Sequence, residues 1–62
     1  MTDKEKLDKV LDYVTKEEDR YYDISGKAFD KGNMSGQLLH MAEATAFQRV
    51  RYFIEMMEEE NA

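Results

Sequence analysis

Few side chains in this chain could do chemistry, and they fall on two stretches of helical spacing: Glu18 on the first, and His40, Glu43 and Arg49 on the second. His40 and Glu43 stand one helical turn apart, so both project from one edge of the same face. An antiparallel turn between the stretches would set Tyr22 opposite Glu43, and Glu18 near Phe47 and within reach of Arg49. Buried carboxylates must be paired or ligate a metal, so this layer has two possible uses. As a satisfied polar layer of Glu18, Glu43 and Arg49, it would have Tyr22 donating to Glu43 and Arg49 paired with Glu18, an arrangement that fixes register and partner choice.

The other use is metal binding. In a symmetric dimer, two Glu18 and two Glu43 carboxylates would meet in the middle of a four-helix bundle, with His40 as an outlying nitrogen ligand. That set resembles the carboxylate-bridged di-metal proteins, whose order is Glu-x-x-His where this chain has His-x-x-Glu. The polar layer is the reading adopted, so neither metal nor cofactor is expected. Glu18, His40 and Glu43 are the ligands of the alternative.

No nucleophile constellation accompanies these residues. The chain has one histidine, no cysteine and no glycine-rich phosphate loop, so no enzyme is expected. Its formal net charge of -5 repels phosphate backbones and favours basic partners, which argues against direct nucleic-acid binding.

Sixty-two residues make at most one domain, in the size range where a single core gives marginal stability. Hydrophobic content of 42% and charged content of 37% suit a small helical protein rather than a disordered one. No apolar run is long enough for a membrane span, and the opening MTDKEKLDKV lacks the order of a secretory signal, so a cytoplasmic chain without membrane attachment is expected. The absence of cysteine fits a reducing compartment.

Two elements must position the polar layer. Thr2 and Glu5 form a capping box, which starts helix 1 at about residue 3. Leu7, Val10, Leu11, Val14, Tyr21, Ile24, Ala28 and Phe29 then recur at threes and fours, and carry the helix through Gly26 to about residue 31. Gly32 ends it in a turn over about 32–34, and Asn33 or Ser35 caps helix 2, which runs over about 35–58. Leu39, Ala42, Ala46, Val50, Phe53 and Met57 mark the face of helix 2, with Phe53 near its centre. Negative charge on Glu58, Glu59 and Glu60 opposes the helix dipole, so the last turn is expected to be loose.

Each stripe covers about half of its helix, more than one neighbouring helix can bury. The fold class is therefore all-α: an antiparallel two-helix hairpin over residues 1–62, assembling into a four-helix bundle as a dimer or higher homo-oligomer. Tyr13, Tyr22, Phe47, Tyr52 and Met56 border the stripes and are the candidate partner-binding residues, because half-buried aromatics and methionines there make adaptable anchors.

The run Gly26-Lys27-Ala28-Phe29-Asp30-Lys31-Gly32-Asn33 resembles the helix end and turn of a tetratricopeptide unit. Its glycines stand one residue too close, the tryptophan and proline of that pattern are missing, and about three units are needed for a stable stack. No family is assigned. The expected function is that of a small acidic protein–protein interaction module: a regulator, inhibitor or assembly subunit, of a kind found in phages and mobile elements. It would act by binding itself and another protein rather than by catalysis. The alternative is a carboxylate-rich, metal-binding four-helix bundle.

Overall fold

The computed structural model describes residues 1–60, which form two helices, α1 (Asp3–Asp30) and α2 (Met34–Glu60), folded against each other as a hairpin. Local chemistry sets each boundary. At the start of α1, the Glu5 N–H donates to Thr2 Oγ1 at 3.1 Å and the Thr2 N–H donates to Glu5 Oε1 at 3.4 Å, completing the capping box. At its end, Asn33 N–H bonds the Ala28 carbonyl at 2.8 Å and Gly32 N–H bonds that of Phe29 at 2.9 Å. This pair of bonds closes a Schellman motif, which needs a left-handed residue between helix and turn. Gly32 supplies it, with φ of 74°.

Asn33 then caps α2, its Oδ1 accepting from Gly36 N–H at 2.9 Å. A Cβ at position 36 would collide with the Asn33 side chain, so Gly36 makes room for the cap. Helix 1 continues through Gly26 without a break, as the period on both sides of it requires. Helix 2 reaches Glu60, beyond the end expected near residue 58, and its acidic last turn stays helical.

The seam between the helices follows a strict alternation of threes and fours. Along α1 it runs through Leu7, Leu11, Val14, Glu18, Tyr21, Ser25 and Ala28, and along α2 through Gln37, His40, Ala44, Phe47, Arg51, Ile54 and Glu58. Each of these residues is buried or partly buried. The spacing averages about 3.5 residues, the period of an antiparallel coiled-coil pair. Small residues face inward: Ala44 is fully buried, and Ser25 Oγ donates to the Gln37 carbonyl at 3.0 Å.

This seam corrects the expected orientation of α2. The stripe of Leu39, Ala42, Ala46, Val50, Phe53 and Met57 is expected to face α1; all but the partly buried Met57 are exposed, Phe53 at 64% and Leu39 at 60%. The apolar core of the hairpin is correspondingly small, with Val14, Ala28, Ala44 and Ile54 its buried members among the described residues.

Glycine substitutions test the boundaries. Neither Gly26 nor Gly32 has a neighbour that an added Cβ would meet, so only backbone preference distinguishes them. Gly26→Ala should raise unfolding stability by about 0.5–1 kcal/mol, and Gly32→Ala should lower it by about 1 kcal/mol. Urea titrations at one fixed protein concentration measure both. A neutral Gly32→Ala would contradict the left-handed cap.

Candidate functional site

The polar layer lies inside the seam, and its members are not the expected ones. Glu18, 7% exposed, occupies the middle of the buried face of α1, where its spacing from Val14 and Tyr21 puts it. Its partner is Arg51: Arg51 Nε donates to Glu18 Oε2 at 2.8 Å and Nη2 to Oε1 at 3.4 Å, a two-pronged charge-assisted contact. Arg51 Nη1 also donates to Glu55 at 3.1 Å, and the guanidinium carbon lies 4.7 Å from the centre of the Tyr52 ring. The hydrogen bonds to Glu18 and then to Glu55 hold the Arg51 guanidinium above its ordinary, already high value, so it remains charged.

Arg49, the expected partner, is exposed and takes no part. Positions 49 and 51 are about 200° apart on a helix, so the two arginines cannot both face α1. Tyr22 likewise does not meet Glu43. Its hydroxyl donates to Gln48 Oε1 at 3.2 Å, and Gln48 Nε2 passes the chain on to the Tyr52 hydroxyl at 3.2 Å.

Glu43 instead receives His40, whose Nδ1 lies 2.7 Å from Glu43 Oε1 within the same helix. Tyr21 stacks on His40 at 6.3 Å between ring centres and on Phe47 at 5.6 Å, which fills the seam between this pair and the Glu18–Arg51 contact. Both Glu18 oxygens are thus taken by Arg51, and Glu18 does not join His40 and Glu43. Among the described residues, no group of three histidine, aspartate or glutamate side chains is placed to share a metal ion.

The candidate partner-binding residues divide by position. Phe47 is partly buried in the seam against Tyr21, while Tyr13, Tyr22, Tyr52 and Met56 are exposed. Tyr22 and Tyr52 flank Gln48 on one broad side of the hairpin. The larger apolar surface lies elsewhere, on the outer face of α2, where Leu39, Ala42, Ala46, Val50 and Phe53 form a second run at spacings of three and four. Arg49 stands at its rim. Charged residues concentrate instead on the outer face of α1, where Asp12–Lys16 and Asp23–Lys27 form exposed pairs one turn apart.

Sequence reasoning missed Ser25, Gln37, Ala44 and Arg51 as members of the seam. Their signal was present as an unbroken alternation of threes and fours. It was obscured because the outer run is the more hydrophobic of the two. No helix among the described residues is long and apolar enough to cross a membrane. No protein-family model, curated protein or solved structure matches the chain.

A double-mutant cycle tests the layer. Arg51→Leu should lower the melting temperature, because it strands the Glu18 carboxylate in the seam; Glu18→Leu with Arg51→Leu should recover most of the loss. Arg49→Leu should leave the melting temperature unchanged. A loss at Arg49 equal to that at Arg51 would mean that α2 is turned the other way.

Proposed function

We propose that this chain is an acidic interaction module that acts by binding, through self-association and contact with another protein, rather than by catalysis. One observation carries this reading: the most apolar run of α2 is exposed and points away from α1, the other helix among the described residues. A helix that is apolar on nearly every side belongs in the interior of an assembly, whereas one with a single apolar stripe and a charged back belongs at its surface. Helix α1 fits the second description, whereas α2 carries an apolar run on the side turned away from α1 in addition to its seam.

The surface area supports the same reading. The hairpin exposes 4876 Å², against about 4,200 Å² for a compact folded monomer of 7.3 kDa. The difference approaches the ~800 Å² that each partner buries in a standard protein–protein interface. Contiguous exposed apolar residues such as Leu39, Val50 and Phe53 on a small protein mark interaction sites. A regulator, an inhibitor or an assembly subunit would use such a face, and a net charge of -5 would steer it towards basic partners.

Sedimentation equilibrium across a concentration series tests the reading. At micromolar concentration the chain should sediment as a dimer or larger species, and its melting temperature should rise with concentration as mass action requires. Phe53→Glu should weaken association by about 30-fold or more, the loss expected of a hot-spot residue, while the isolated hairpin keeps its helical circular dichroism. A concentration-independent monomer would overturn self-association.

A further inference from the structure

We propose that the occupant of the outer α2 face is a second copy of this chain, packed with its α2 antiparallel to the first about a two-fold axis beside Ala46. The inference rests on the interaction reading above and names the surface and geometry that self-association would use.

The order of side-chain sizes along the face carries the argument. From Leu39 through Ala42, Ala46 and Val50 to Phe53, the run is bulky at its ends and small at its centre. A two-fold axis at Ala46 sets Leu39 opposite the partner's Phe53 and Ala42 opposite the partner's Val50. Each large residue near the centre thus meets a small one, and the two bulkiest meet at the ends, where the helices diverge. Facing positions that alternate large and small interdigitate without voids. Ala46 against its own copy gives the close approach at the crossing point that an isologous contact between helices needs. The face is therefore complementary to itself without any change of side chain.

Charge and shape agree with this occupant. Between Leu39 and Phe53 the face carries no acidic residue, because Glu43 is turned to His40 at its edge and Arg49 stands at the rim. Two copies therefore meet there without the repulsion that a net charge of -5 would otherwise impose. The hairpin is a slab with extents of 45 × 20 × 11 Å. Its outer α2 surface is continued over the side of the slab by the exposed Val10 and the partly buried Ile24. The charged back of α1 stays in solvent in this arrangement, and the two α2 helices form the inner pair of a four-helix assembly.

Because the chain has no cysteine, single introduced thiols report the geometry cleanly. Ala46→Cys should form a disulfide-linked dimer under mild oxidation, since residues on the axis face their own copies at the short separation a disulfide requires. Ala42→Cys should remain unlinked, because its two copies lie about 12 Å apart along the helices at about 1.5 Å per residue. Ala42→Cys combined with Val50→Cys should link. A chain that sediments as a dimer, yet links no faster through Ala46→Cys than through Ala42→Cys, would overturn this pairing and leave self-association standing. A chain that remains monomeric at every concentration, with Ala46→Cys unlinked, would overturn both and assign the face to the apolar helix of a different protein.

Discussion

The orientation of α2 depends on the contact between Glu18 and Arg51. A carboxylate held at 7% exposure requires a partner with matching donors, and the fork of a guanidinium supplies two of them at once. Once Arg51 points inward, every other position of α2 follows at about 100° per residue: Ala44, Phe47 and Ile54 turn towards α1, and Leu39, Ala46 and Phe53 turn away. The opposite rotation would bury more apolar surface against α1. It would also give up the two-pronged contact of Arg51 inside the seam and leave Glu18 only an arginine at the rim of the stripe, and a buried charge that is poorly paired costs more than the packing of one or two additional side chains returns.

The helix boundaries were legible in the sequence because each is written in neighbouring residues. The capping box of Thr2 and Glu5, the left-handed Gly32 and the Asn33 cap are contacts across three or four positions, and they can be read without knowing what lies opposite. The rotation of α2 was not legible in the same way. That helix carries two runs with the same spacing, one mixed in polarity and one nearly all apolar, and periodicity gives no preference between them. Ranking the runs by hydrophobicity selected the outer one and with it Arg49. The deciding relation is between Glu18 and Arg51, which lie far apart in the chain.

The seam inside the hairpin and the run outside it differ in what they can specify. The seam contains an ion pair, a serine hydroxyl on a carbonyl and stacked rings of Tyr21, His40 and Phe47. Each of these works in only one register, since a slip of a single turn would separate Glu18 from Arg51. Polar groups of this kind contribute more to the uniqueness of an arrangement than to its net stability. The outer run has few such constraints and contributes area instead, which is the term a 62-residue chain lacks.

Helices α1 and α2 therefore have different tasks. On α1 a single buried seam is backed by pairs such as Asp12–Lys16 and Asp23–Lys27, which keep its outer face in water. On α2 the same length of helix is buried on one side by the hairpin and remains apolar on the other. A chain built this way has a register that is set within each hairpin by electrostatics, and a remaining surface whose burial requires a second molecule. On the proposed pairing, the specific contacts lie within one chain and the larger apolar gain lies between chains, so the stability of the hairpin and the extent of its association are linked.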